Sequence, residues 1–305
     1  MSAKPINPHA DTNADQGADP QADSTIDPTI DPTIDLAIER GVPSPAPVEP
    51  APGNVAVQHA PGHDAGAPHL IFCGGFHSSM NGIKALRIAD LAQRLSLACT
   101  RFDYRGHGQS TGDARELGIA HWLADTLSVV DATTGPLVMI GSSMGAWLAV
   151  LACERRPERV CGLMTIAAAP DFTHELLVHS LDPHERRAAD ADQMAWRTTP
   201  HSDEPWPIPP VLIQSGEQHR VLVSEQRLCM PATLIHGTAD VDVPPQLSRR
   251  LLERRFTDDA QLIEVAGADH RLSDDNSLRV IDQQIEALLG RVDSWIGSRA
   301  APRPS

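Results

Sequence analysis

The chain has 305 residues, with 40 Asp and Glu against 25 Lys and Arg, and a formal net charge of −15. That length suits one large α/β core with tails. An acidic chain without a basic stripe excludes phosphate-driven nucleic-acid binding, which needs clustered Lys and Arg; Arg155-Arg156 and Arg249-Arg250 read as solvated helix faces. Residues 1–53 are rich in Pro, Asp, Ala and Thr and hold a near-repeat from Ile26 to Asp35. Its prolines prevent a regular helix, and too few large apolar groups are present to offset the cost of ordering it. This segment is expected to be a disordered acidic tail ahead of one domain over 54–297.

From there, short apolar runs alternate with helical patterns. Val55-Ala56-Val57 reads as a weak strand and His69-Leu70-Ile71-Phe72 as a strong one. A helix is expected from Ile83 to Leu95, with Ile83, Leu86, Leu91 and Leu95 among its apolar positions. Cys99 to Phe102 is a strand. A helix follows over roughly 121–132, with Trp122, Leu123, Leu127 and Val130 facing the core. Leu137 to Ile140 is a strand, Ala146 to Cys153 a helix, and Val160 to Ile166 another strand. Over about 171–230 the alternation stops. An amphipathic stretch (172–178), a charged helical one (183–196) and a proline-rich piece (205–210) suggest a lid insertion. Here Trp196, Trp206, Ile208, Val211 and Leu212 are expected mostly to pack the insertion onto the domain, with the lining of an acyl pocket as the alternative. Strands resume at Ala232 to His236 and Gln261 to Val265, and a helix closes the domain from Leu278 to Trp295. Residues 298–305 contain Pro302 and Pro304 and are expected to fray. The pattern predicts an α/β fold, a mostly parallel sheet with helices on both faces.

The chemistry is carried by Gly141-Ser142-Ser143-Met144-Gly145, a G-x-S-x-G run between a strand and a helix. In that context the pattern is a nucleophile elbow, with Ser143 at a sharp corner. A serine hydroxyl needs a base and a group to orient the base. Both follow in the order Ser, Asp, His: Asp240 lies on a loop past the strand at 232–236, and His270 on a loop past the strand at 261–265. In an open parallel sheet those strand ends share one edge. Cys73-Gly74-Gly75-Phe76-His77 opens from the second strand. It offers the Phe76 N–H as one oxyanion donor, with the Met144 N–H as the other. This chemistry needs no metal and no organic cofactor.

Gly75 to Leu86, with its Met80-Asn81-Gly82-Ile83-Lys84-Ala85 run, and Arg101 to Ser110 carry a family resemblance, together with the elbow, His236-Gly237 to Pro244 and Asp269-His270-Arg271. Over roughly 55–297 the chain resembles the α/β-hydrolase superfamily. Within it, the chain is similar to the group of palmitoyl-protein thioesterases and acyl-glucuronide esterases of animal mitochondria. The resemblance implies an α/β-hydrolase fold and ester or thioester hydrolysis by Ser143, Asp240 and His270, on a small-molecule or acylated-protein substrate. Residues 173–228 carry little of it.

Several rivals are weighed on the sequence. Asp242 lies close to Asp240, but Asp240 holds the H-G-x-x-D position, and Asp242 is expected to cap the helix opening at Pro245. Asp269 reads as a loop acid; His77, His107 and His236 read as structural, with His77 the one to check for substrate contact. A peptidase of the prolyl-aminopeptidase type would need an acid for a free amine, which Glu175, Asp182 or Glu185 could supply. A non-enzymatic binding protein is disfavoured by the intact Ser, Asp and His. The uncharged stretch from 132 to 153 is long enough to mimic a membrane span, but the glycine turn splits it. The first residues lack an apolar signal core and transit-peptide character, and the five cysteines show no C-x-x-C spacing. Buried free thiols in the cytoplasm are the expectation.

Overall fold

The computed structural model describes residues 55–300 except 65, 200 and 201. The expected tail over 1–53 and residues 301–305 lie outside the described residues. In chain order the elements are β1 (Ala56–Ala60), β2 (His69–Cys73), α1 (Ile83–Arg94), β3 (Cys99–Asp103), α2 (Ile119–Ala132), β4 (Leu137–Ser142), α3 (Met144–Arg155) and β5 (Val160–Ile166). Then come α4 (Pro183–Asp190), β6 (Ala195–Thr199), β7 (Ser202–Ile208), α5 (Pro210–Gln218), β8 (Ala232–Gly237), α6 (Pro245–Arg255), β9 (Ala260–Val265) and α7 (Asp275–Ala300). The main sheet has the order β1-β3-β2-β4-β5-β8-β9. Only β1 runs antiparallel, against β3.

β2, β4, β5 and β8 are buried along their whole length. That is why they read as continuous apolar runs rather than as alternating strands. The period of two survives inside the core. Leu70, Phe72, Val138 and Ile140 face α1 and α7, whereas Ile71, Cys73, Leu137 and Met139 face the layer of α2, α3 and α6. Ile281, Ile285, Leu288 and Val292 form the buried stripe of α7, at helical spacing. The 132–153 stretch is divided between α2's last residue, β4, the turn at Ser143 and α3. Among the described residues no helix is long and apolar enough to cross a membrane.

Five expectations are corrected. α1 buries Ala85, Ile88, Leu91 and Ala92, while Ile83, Leu86 and Leu95 are exposed. Its buried face is two alanines and two large aliphatics, Ile88 and Leu91, of which only Leu91 is among the expected apolar positions. In the insertion, the expected helix over 183–196 ends at Asp190, and Trp196 lies in β6, which pairs with β7 as an antiparallel ribbon. Pro205 and Pro207 sit in β7; a two-stranded ribbon has an outer edge where a missing N–H loses no ladder bond. α7 begins earlier than expected, because the Asp274 carboxylate accepts the Asn276 and Ser277 amides. It also runs through 298–300, residues expected to fray; the Arg299 guanidinium lies 4.4 Å from the Trp295 ring centre. The first strand covers Ala56–Ala60 rather than 55–57.

Candidate active site

Ser143 joins β4 to α3 with φ 54° and ψ −119°. This conformation is strained for a residue with a Cβ, by about 1–3 kcal/mol. The surroundings enforce it. The Ser143 N–H donates to the Ile166 carbonyl at 2.9 Å, and the Ser143 carbonyl accepts from Ala146 and Ala169. Glycine is required at 145 because a Cβ there would lie 2.2 Å from the Cys73 carbonyl oxygen and 2.3 Å from that of Gly74. Strand β2 and the first turn of α3 therefore touch backbone to backbone.

The strands β8 and β9 deliver the other two groups to the same edge. His270 Nε2 lies 3.1 Å from Ser143 Oγ, and His270 Nδ1 lies 2.7 Å from Asp240 Oδ2. A carboxylate can only accept, so the proton sits on Nδ1 and the Nε2 lone pair faces the serine hydroxyl. The Asp240 side chain is fully buried. Its Oδ1 accepts the Asp242 and Val243 amides at 3.0 and 2.8 Å. Its Oδ2 also meets His236 Nε2 at 3.0 Å. Burial opposes the charge on Asp240. The hydrogen bonds from His236, His270 and Val243 outweigh it and hold the carboxyl well below the usual range. His236 is itself fixed, with Nε2 on the Val243 carbonyl at 2.9 Å and Nδ1 on Ser248 Oγ at 2.7 Å.

The glycine loop after β2 forms the opposite wall. A Cβ on Gly75 would meet Ser143 Cβ at 3.3 Å, so the Phe76 amide follows a residue in contact with the serine. Met144 opens α3, and the first amides of a helix have no carbonyl one turn back to bond. The Tyr104 hydroxyl donates to the Gly74 carbonyl at 3.2 Å. The Phe76 ring packs among Trp122, Phe172, His77, His107 and the Trp206 of the insertion. His77 lies 4.6 Å from Trp206 between ring centres, and burial draws its imidazole down to about 4, with His107 adding to the shift. Ile208 and Leu212 are buried, whereas Trp196 is half exposed. Burial pushes the Cys73 thiol up to about 12, against a hydrogen bond with Tyr104, so it is no thiolate at neutral pH.

The structure thus brings Ser143, His270 and Asp240 into one hydrogen-bonded chain; Met144 follows Ser143 in the chain, and Phe76 follows Gly75, the loop residue next to Ser143. Asp242 is exposed, and its backbone N–H, not its side chain, is used. It does not cap α6, which starts after Pro244 with no side-chain cap. Asp269 accepts the Arg271 and Leu272 amides and shapes the turn around His270. The contact of His236 with Asp240 was missed on the sequence; the H-G-x-x-D spacing was its only signal. The acids considered for amine recognition are all engaged: Glu175 pairs with Arg250, Glu185 with Arg197, and Asp182 caps α4. Among the described residues no group of three His, Cys, Asp or Glu side chains could hold a metal ion.

Known proteins share this arrangement of strands and loops. The model of a hydrolase family described as "Serine aminopeptidase, S33" matches residues 67–206. The human protein named palmitoyl-protein thioesterase ABHD10, mitochondrial, is 31% identical over 232 residues, covering 75% of this chain and 76% of its own. The chain belongs to the α/β-hydrolase family, in the ABHD10 group. The mouse protein of the same name is 33% identical over 234 residues, covering 75% of this chain and 77% of its own. Among solved structures, a putative hydrolase of Agrobacterium vitis superposes on this hydrolase with a TM-score of 0.73 at 33% identity, covering 77% of this chain and 93% of that one. Mouse α/β-hydrolase domain-containing protein 10 gives 0.70 at 30%, covering 78% and 94%.

Proposed function

We propose that this hydrolase cleaves acyl thioesters and carboxylic esters through an acyl-enzyme formed on Ser143. His270 Nε2 takes the hydroxyl proton as Oγ attacks the carbonyl carbon. Asp240 keeps the His270 proton on Nδ1 and stabilises the imidazolium. The Phe76 and Met144 amides receive the negative charge that develops on the carbonyl oxygen. The imidazolium then gives its proton to the departing thiolate or alkoxide. Water, deprotonated by His270, attacks the acyl-enzyme and returns Ser143. The observation that carries the reading is the pair of hydrogen bonds, 2.7 and 3.1 Å, linking Asp240 through His270 to Ser143.

The thioester preference rests on the ABHD10 relatives, which are named palmitoyl-protein thioesterases. An acylated protein or a small acyl thioester is the proposed substrate. The peptidase alternative loses support because Glu175, Asp182 and Glu185 already have partners. All five cysteines are free, which suits a reducing compartment. The cytoplasm expected from the sequence is one such compartment, and the relatives' names place them in another, the mitochondrion. The test is a panel of acyl thioesters, aryl esters and prolyl amides with the chain length varied. Thioesters and esters are expected to turn over and prolyl amides not. Ser143→Ala should lose turnover on the order of 10³-fold or more, along with its labelling by a fluorophosphonate probe. Turnover near the wild-type rate in Ser143→Ala would end this reading.

A further inference from the structure

Lys84 breaks a local rule. It lies in the first turn of α1, where the positive end of the helix disfavours a cation. That turn holds no acid, and the Gly82 N-cap provides no side-chain cap. The helix gains nothing from this ammonium. Instead the side chain is half-buried and reaches across to the loop after β9, where Nζ donates to the Arg271 carbonyl. The carbonyl it holds is one end of the peptide unit joining Arg271 to Leu272. The other end, the Leu272 N–H, donates to Asp269 Oδ1 at 3.1 Å. Leu272 is fully buried and has φ 45°, a conformation a leucine keeps only when its surroundings impose it. The peptide unit, one residue beyond His270, is thus gripped at its oxygen by Lys84 and at its nitrogen by Asp269. On the other side of His270 the loop is tied to β8's end, through Gly267 N–H to Thr238 Oγ1 and Ala239 N–H to the Ala268 carbonyl.

We propose that Lys84 is a positioning residue: its ammonium fixes the Arg271–Leu272 peptide and so holds His270 between Asp240 and Ser143. The inference rests on the function proposed above. It adds a group from the oxyanion side of the site that acts on the base without touching substrate. Without the ammonium the peptide is held only at its nitrogen, by Asp269, and can turn toward an unstrained Leu272, which would carry the imidazole away from Ser143 Oγ. Displacements of about 1 Å at such a group cost on the order of 100-fold in rate.

The test compares Lys84→Met, which keeps the stem and removes the donors, with Lys84→Arg, which keeps a charged donor. On an acyl thioester, Lys84→Met is expected to lower kcat by about 10- to 100-fold with KM within about 3-fold. Lys84→Arg is expected to recover most of that loss. The downfield proton resonance of His270 Nδ1–H, which reports its bond to Asp240, should shift or broaden in Lys84→Met and return in Lys84→Arg. Wild-type kcat in Lys84→Met overturns the proposal, as does an equal loss in both variants with an unaltered His270 resonance. Ser143→Ala in parallel separates the two claims. If it keeps turnover, the active-site reading falls; if it is dead while Lys84→Met is fully active, only the clamp falls.

Discussion

Replacing Asp240 by Asn removes one charge and reverses the polarity of one atom in a place that tolerates neither. The carboxylate receives four donors: the Asp242 and Val243 amides on Oδ1, and the ring nitrogens of His270 and His236 on Oδ2. An asparagine has one acceptor oxygen. If that oxygen stays on the two amides, its NH₂ faces two imidazole N–H groups. His236 is pinned by the Val243 carbonyl, so its Nε2 keeps its proton. His270 is the ring free to respond, by moving its proton from Nδ1 to Nε2. It then presents an N–H to Ser143 Oγ and has no lone pair to accept the serine proton. The opposite amide rotamer sets the NH₂ against two backbone donors inside a fully buried pocket, which water does not relieve. The wrong tautomer is worth about 10³- to 10⁴-fold in kcat, or about 4–5 kcal/mol of transition-state stabilisation. Steady-state hydrolysis of an acyl thioester reads it, with KM expected within about 3-fold. Asp242→Asn is the control, because only its backbone is used, and it should stay within about 2-fold of wild type. Asp240→Asn within tenfold of wild type, or Asp242→Asn as the more damaging change, would refute this account of the carboxylate.

Asp240 also links stability to pH. Its folded-state pKa is depressed, so its stabilising contribution is present above the unfolded value of about 4 and is lost as pH falls below it. The stability gap between wild type and Asp240→Asn, measured by urea unfolding, should therefore shrink from about pH 6 toward about pH 3; a constant gap would contradict the shift. His236→Phe removes the second ring donor to Asp240 and leaves the Val243 carbonyl and Ser248 hydroxyl without it. It should destabilise by about 1–3 kcal/mol and lower kcat about tenfold, readable by thermal melts and thioester turnover. Gly145→Ala sets a Cβ against two backbone carbonyls. It should cost about 1–3 kcal/mol, a fall in Tm of about 2–4 °C per kcal/mol for a domain this size; an unchanged Tm would mean the elbow has slack.

The sequence made visible those parts of the site whose chemistry is tied to a local backbone form. Ser143 needs a strand, a glycine-flanked corner and a helix in immediate succession, and all are contiguous. Asp240 and His270 stand just past apolar runs, and parallel strands bring such positions to one edge. What stayed hidden depends on partners distant in the chain. Lys84 and the carbonyl it binds are separated by 187 positions, and nothing near either marks the other. The charged stretch over 183–196 reads as one helix up to Trp196, whereas Trp196 lies in a strand that pairs with Ser202–Ile208. On α1 both faces carry large aliphatics, Ile83 and Leu86 outside and Ile88 and Leu91 inside, so size alone does not mark the buried one. For Asp242 the error was one of atoms, since the loop uses its amide and not its carboxylate.

Strain in this fold is concentrated where the proposed chemistry lies. Of the seven non-glycine residues with positive φ among the described residues, His77, Ser143, Ala167, Asp171 and Leu272 all follow sheet strands, on loops at their carboxyl ends. A rigid core is what makes such loops tenable: β4 and α3 are almost wholly buried on either side of Ser143. The strain can be isolated by comparing Ser143→Ala with Ser143→Gly, both of which lack the hydroxyl. At an ordinary site alanine is more stable than glycine by about 0.4–1 kcal/mol, because glycine has more freedom to lose on folding. At φ 54° and ψ −119° alanine keeps the strain, about 1–3 kcal/mol, and glycine does not. The order should therefore invert, with Ser143→Gly melting about 2–4 °C above Ser143→Ala for a net difference of about 1 kcal/mol. If Ser143→Ala melts higher, the corner is not strained, and the serine's position owes nothing to energy stored by the surrounding strands.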